Sequence, residues 1–353
     1  MKKRSFWVRA CISIAFLIFL FKIAQKSEFT DRLRQIDPFY FTLSLLMVCV
    51  MIPLSCLKWQ VLLRQQGKKI GFFFLLRIYL VGYFFSNLLP SNVGGDVVRS
   101  YYIGRHIGDQ SLAAVSVFIE RVSGIIFLLI LTIVVPLLKP ALYASPYIFI
   151  PALASSAILL IIAWMWKTQS ILELLNKIAK SVFGAMRKIN NIAFLKAINK
   201  LELAYVNIFD HLGEFRNKLL IAVKYLRSNP KQLVNVIILT ALFYIMTWVN
   251  VYVSFLAFGV KHNFMELSAL VPTALFVGMI PVPSLANLGF TEGIYVAYFG
   301  LAGINTAASL AMGLLLRLKL LIVGISGFFF YLTYRHDARY DIPELANNEK
   351  KGN

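Results

Sequence analysis

Asp96, Arg99, Glu120, Arg121, Glu292, Arg317 and Lys319 stand inside or beside long apolar stretches of this 353-residue sequence, and that setting limits what they can do. A charge at the centre of a bilayer costs about 2.5–3.5 kcal/mol on the insertion scale. Seven unpaired ones would cost roughly 20 kcal/mol, more than a typical folding stability of about 5–15 kcal/mol. They must pair, sit near an interface or line water. Two chemistries meet that demand. In one, the charges neutralise each other, with Asp96 against Arg121 and Glu292 against Arg317. In the other, surplus cations receive an anionic lipid phosphate while the carboxylates orient them or hold a cationic headgroup. Arg99, Arg121 and Arg317 suit the second role better than Lys319, because a planar guanidinium fork matches phosphate oxygens. Gly94 and Gly95 allow close backbone approach, and the start of the helix that follows offers free N–H donors to an anion; Asp96 would also serve there as a simple cap.

Other chemistries lack their residues. Cys11, Cys49 and Cys56 read as small packing residues, and the four histidines, His106, His211, His262 and His336, are scattered. Neither set has metal-ligand spacing, so no metal is expected. There is no Gly-x-Ser-x-Gly, Walker loop or His-Glu-x-x-His, and no βαβ alternation of a cofactor domain, so neither a cofactor nor coupling to ATP is expected.

The elements that must position these charges follow from hydropathy. The chain is 59% hydrophobic and 15% charged, against about a quarter charged for a soluble domain. Apolar runs at 6–24, 39–57, 147–166 and 232–258 each reach the ~20 residues a helix needs to cross a ~30 Å hydrocarbon core. Their apolar faces are continuous, as in Ile12–Phe21, which favours helices over barrel strands. The expected fold is an all-α polytopic membrane protein with six to eight transmembrane helices. Two stretches break the pattern. Residues 72–105 contain Asn87-Leu88-Leu89-Pro90-Ser91-Asn92-Val93-Gly94-Gly95-Asp96, in which an apolar helix ends near Pro90 and restarts near Val97. Residues 267–300 repeat that grammar through Pro281, Pro283, Asn287, Gly289 and Glu292. Irregular backbone at membrane depth survives only where protein or a water-filled cavity satisfies it, so both read as re-entrant helical hairpins lining a site. Two halves, each with an odd number of crossings, would form an inverted repeat with the site between the broken helices. The stretches 111–138 and 305–334 each read as a long tilted helix or as a half-helix joined to a span.

The formal net charge of +20 is placed asymmetrically. Lys and Arg crowd the N-terminal tail, Lys58–Arg77, segment 167–231 and the C-terminal tail 335–353, whereas Lys139–Pro146 and Gly259–Glu266 carry one lysine each. The positive-inside rule puts the first group, and both termini, in the cytoplasm. Segment 167–231 interleaves basic and apolar residues, as amphipathic helices on an anionic leaflet do, and is otherwise a solvated linker. It separates an N-terminal membrane half, 1–166, from a C-terminal one, 232–334. Without a recognition motif, the charge points to anionic phospholipid and not to nucleic acid.

The ordered set Asn87-Leu88-Leu89-Pro90-x-x-x-Gly94-Gly95-Asp96-x-x-Arg99, Glu120-Arg121-x-x-Gly124, Pro281-x-Pro283 and Leu288-Gly289-Phe290-x-Glu292-Gly293 resembles the lysylphosphatidylglycerol synthase transmembrane-domain (flippase-like) family over nearly the whole chain. Where many members have Pro-Gly-Gly-Leu-Gly, this chain has Ser284-Leu285-Ala286-Asn287. The resemblance implies a multi-pass bacterial inner-membrane protein related to the flippase portion of the multiple peptide resistance factor, which moves aminoacylated phosphatidylglycerol between leaflets. Lysyl transfer in that family belongs to a separate soluble domain, which a chain ending at Asn353 is expected to lack. The implied function is a lipid translocase for a phospholipid or lipid-linked headgroup. The alternative is a membrane component of a lysyl- or glycolipid transferase working with a separate synthase or transferase.

Overall fold

The computed structural model describes residues 3–24, 26–65, 67–88, 94–167, 220–221, 224, 229–280, 282 and 287–337. The tips of both sequence breaks, with Pro90, Asn92, Pro281 and Pro283, lie outside these residues, as do most of segment 167–231 and the C-terminal tail.

The described residues are helical, with no strand among them. The helices are α1 (Lys3–Ile23), α2 (Lys26–Arg34), α3 (Pro38–Gln65), α4 (Phe72–Leu88), α5 (Gly94–Ile107), α6 (Gln110–Val134), α7 (Pro146–Lys167), α8 (Pro230–Leu256), α9 (Phe264–Gly278), α10 (Phe290–Gly300) and α11 (Thr306–Asp337). Two short 3-10 turns, Val135–Leu138 and Pro140–Ala144, join α6 to α7. Five stretches are long and apolar enough to cross a membrane: Pro38–Arg64, Gln110–Leu138, Pro146–Trp164, Pro230–Leu256 and Thr306–Thr333. Cys11–Ile23, Phe72–Leu88 and Phe264–Gly278 are shorter apolar helices. Large apolar side chains on α1, α7, α8 and α11 point outward, among them Phe19, Leu160, Ile238 and Phe329. Such a surface suits hydrocarbon and would be a liability in water. Both ambiguous stretches prove continuous where they carry charge: Glu120 and Arg121 belong to one helix, α6, and Arg317 and Lys319 to one 32-residue helix, α11.

Two four-helix units, α3 to α6 and α8 to α11, are built alike. Each begins with a long helix, continues into a broken pair (α4 and α5; α9 and α10) and ends in another long helix. The helices after the breaks start at Gly94 and Phe290, and the long helices that follow start at Gln110 and Thr306, the same interval in each unit. Their caps match as well. Asp109 accepts from the Leu112 backbone N–H at 2.9 Å, and Asn305 accepts from that of Ala308 at 2.8 Å.

The units meet where α3 packs on α8 and α4 packs on α11. Glycine permits the second contact. A Cβ at Gly327 would strike the Leu80 carbonyl, and one at Gly324 the Asn87 side chain, so the two backbones approach as small-residue faces do in membranes. Within each unit an apolar core forms. The first gathers Cys56, Trp59, Leu63, Leu75, Ile78 and Ile103, and the second Phe255, Leu267, Leu270, Phe299 and Met312.

Candidate functional site

The helix after the first break starts at Gly94, three residues before the sequence placed it, so Asp96 is its third residue and faces α6 instead of capping from outside. From there its carboxylate binds Arg121 as a fork, accepting from Nε at 2.6 Å and from Nη2 at 3.0 Å. It also accepts from Arg99 Nη2 at 2.6 Å. Gly82 and Gly95 let α4 and α5 close around this point: a Cβ on Gly95 would meet Ser86 and the Gly82 carbonyl, and one on Gly82 would lie 2.6 Å from Arg99 Cγ.

Arg99 is sequestered, its side chain 3% exposed. Nη2 donates to Glu120 Oε2 at 3.1 Å, and the guanidinium lies over the rings of Tyr79 and Trp59, 4.3 Å and 5.0 Å from their centroids. These contacts supply cation–π attraction where water is excluded. Its Nη1 is buried without a hydrogen-bond partner. Glu120 is shared with Lys58, whose Nζ lies 3.4 Å from Oε1 and donates to the Glu120 carbonyl at 3.0 Å. Trp59 is fixed by donating to Ser116 Oγ at 3.0 Å.

The sequence reading put Lys58 at the head of a cytoplasmic basic stretch. The structure corrects this: α3 runs on to Gln65, and Lys58 is 7% exposed within the bundle. Its partner stands 62 residues away, beyond the reach of local pattern. Trp59 and Tyr79, which stack on Arg99, were likewise missed, since aromatic residues in apolar helices read as packing. With Lys58 included, three cations face two carboxylates, leaving one positive charge. Arg121 is the open member, its side chain 46% exposed.

The second unit repeats the central pair. Glu292, third residue of α10, accepts from Arg317 Nε at 2.5 Å. Both pairs span 25 residues, and each arginine stands eleven residues into its long helix, about 17 Å along the axis from its start. The second pair is more enclosed, with side-chain exposures of 18% for Arg317 and 1% for Glu292. Glu292 Oε2 also accepts from the Gly289 N–H at 2.7 Å, closing the first turn of α10. Asn287 and Gly289 carry the sharp bend before it with φ of 54° and 82°, a region open to glycine and tolerated by asparagine. A Cβ on Gly289 would collide with Phe16, because α1 lies across this bend.

Lys319 is apart from both ion pairs. Its Nζ donates to Asn250 Oδ1 at 2.7 Å and to Ser254 Oγ at 2.8 Å, both on α8. Asn87 closes the end of α4 against α11 by donating to the Leu320 carbonyl at 2.7 Å. The arrangement thus brings Asp96, Arg99, Glu120 and Arg121 into one cluster and Asn287, Gly289, Glu292 and Arg317 into another, with Asn87 at the seam between units and Lys319 between the two long helices of the second. Among the described residues no group of His, Cys, Asp and Glu has metal-binding geometry.

A membrane protein of Methanothermobacter thermautotrophicus named UPF0104 is 26% identical over 313 residues, covering 87% of this chain and 88% of its own length. A UPF0104 membrane protein of Pyrococcus horikoshii is 23% identical over 290 residues, covering 79% and 82%. No solved structure matches the chain. The family described as Lysylphosphatidylglycerol synthase TM region matches residues 6–327, so the ordered motifs, the paired broken helices and nearly the whole length of this chain place it in that membrane-protein family.

Proposed function

We propose that the chain is a lipid translocase of the cytoplasmic (inner) membrane, multi-pass with both termini in the cytoplasm, which carries the polar headgroup of a phospholipid or lipid-linked substrate between leaflets. The observation that carries this reading is Arg121. A half-exposed guanidinium midway along a membrane helix, in a cluster with one surplus positive charge, is costly unless it faces water or an anion. A lipid phosphate is the anion a bilayer supplies, and the arginine fork fits it. Asp96 holds Arg121 in place between substrates. Arg317 and Glu292 offer the same pair in the second unit, where inverted-repeat carriers place their sites. The buried Arg99 and Lys58 act through the field they add and not by touching lipid.

The test is movement of fluorescent phospholipid across proteoliposomes holding the purified chain. Arg121→Ala and Arg317→Ala are each expected to slow it at least tenfold while the protein stays folded; unchanged rates in both variants would overturn the reading. The family's description as the membrane region of a synthase favours a second reading, in which the chain serves a separate transferase. Stable co-purification with such an enzyme, joined to rates insensitive to both substitutions, would select it.

A further inference from the structure

Lys319 is 2% exposed in the middle of α11, and its amine has two hydrogen-bond acceptors, Asn250 Oδ1 and Ser254 Oγ. The Ser254 hydroxyl spends its own proton on the Asn250 carbonyl at 2.5 Å, so towards Lys319 it can only accept. A neutral amine has two N–H donors and both find acceptors here, whereas an ammonium would keep a third donor without an acceptor and a charge with no carboxylate beside it.

The internal repeat sharpens the contrast. Lys58 and Ser123 of the first unit occupy the places of Ser254 and Lys319 in the second, at the same interval as Asp96 and Glu292. Each unit therefore sets one lysine amine between its two long helices, but from opposite helices. In the first, Glu120 neutralises it; in the second, Leu316 stands where Glu120 would.

No charge on the surrounding elements replaces that carboxylate. On α10, Glu292 is bound to Arg317. On α2, Glu28 accepts from Asn305 near the start of α11, and Arg32 donates to the Phe258 carbonyl; Asp31 and Arg34 lie on the same short helix. On α4, Arg77 lies over the Phe330 ring, and the tyrosines Tyr79 and Tyr83 belong to the Arg99 side. On α1, Lys22 closes the helix. On α8, the ionisable groups are Lys231 in the first turn, a cation some twenty residues before Asn250, and the phenols of Tyr244, donating to the Gly124 carbonyl, and Tyr252, stacked on Phe264.

We propose that the Lys319–Asn250–Ser254 site binds and releases a proton, neutral in the arrangement described and charged when α8 and α11 part, so that lipid movement is coupled to a proton gradient. The coupling rests on the translocase reading; the proton site does not. The balance is simple: the amine lone pair takes one proton from water on the side to which the site opens and returns it on the other.

Two measurements decide it. The first is thermal unfolding of the purified protein between pH 6 and 9, wild type against Lys319→Met, with Lys319→Gln as a variant that keeps a donor for the site. Unfolding would charge a neutral lysine, so acid must destabilise the wild type more than either variant, and the gap must widen as pH falls. A gap independent of pH overturns the proton site. The second is lipid movement in proteoliposomes under an imposed gradient. One pH unit biases a coupled step by at most tenfold, so the wild-type rate is expected to change by several-fold and that of Lys319→Gln to stay fixed. Equal responses overturn the coupling. Wild-type protein that moves no lipid at all sinks the translocase reading and the coupling with it, and leaves the unfolding measurement to decide the proton site alone.

Discussion

Glu120→Gln removes one charge from the interior of the first unit and almost no volume. Glu120 lies between Lys58 at 3.4 Å and Arg99 at 3.1 Å, and none of the three side chains is more than 9% exposed. Arg99 keeps Asp96, but Lys58 is left with no carboxylate and only neutral carbonyl oxygens of residue 120 to accept from it. The cluster then holds two surplus positive charges in place of one. An uncompensated charge at this depth costs about 2.5–3.5 kcal/mol, on the order of a hundredfold in the ratio of folded to unfolded protein. Lys58→Met restores the balance while filling the same space. The double variant Lys58→Met, Glu120→Gln should therefore recover at least about 1.5 kcal/mol of the loss, within the range of couplings between contacting residues. Reversible unfolding in bicelles, followed by SDS titration, measures all four corners of this cycle. If the two substitutions add within about 0.5 kcal/mol, Lys58 does not neutralise Glu120 and the cluster as described is wrong.

Three further outcomes follow from other parts of the molecule. Arg121→Lys should retain part of the lipid movement lost in Arg121→Ala, because a point charge replaces the fork to Asp96 without its second hydrogen bond; equal loss in both would deny that charge matters there. At the rim, the Lys139 ammonium donates to Glu266 and holds its carboxyl below the ordinary carboxylate range, with His262 at 3.2 Å acting in the same direction. This link should contribute stability above about pH 4.5 that is lost as pH falls towards the lower native value, and Lys139→Met should flatten that part of the melting profile. Gly327→Leu should push α4 off α11 and destabilise the protein by about 1–3 kcal/mol, while Gly278→Ala, with open space around its Cβ, should leave melting unchanged.

The sequence announced the parts of this fold that hydrocarbon enforces. Apolar length marked α3, α7 and α8 to within a few residues at most of their ends, apart from the continuation of α3 past Lys58. The cost of buried charge demanded partners for these residues, and of the two readings it left open, mutual pairing named Asp96 with Arg121 and Glu292 with Arg317, the pairs the structure holds. What stayed hidden depends on distant or neutral partners. Lys58 looks like a stop signal until Glu120 arrives from three helices on, and Lys319 finds only Asn250 and Ser254, which no charge pattern betrays. The repeat was legible as grammar, a break followed by an acid, but its register was not. Few residues are identical between the units, Tyr102 and Tyr298, Gly104 and Gly300, Arg121 and Arg317 among them. Matching helix starts and caps reveal the register, because backbone geometry persists where side chains have diverged.

The most direct test of a headgroup site at the first cluster is photo-crosslinking from Tyr83, a half-buried side chain on α4 within the electrostatic reach of Arg99 and Arg121. A photoreactive residue at position 83, illuminated in membranes and analysed by mass spectrometry, should capture phospholipid through its headgroup region, and Arg121→Ala should abolish the adduct. Adducts to protein alone, or to lipid in amounts indifferent to Arg121, would contradict the account.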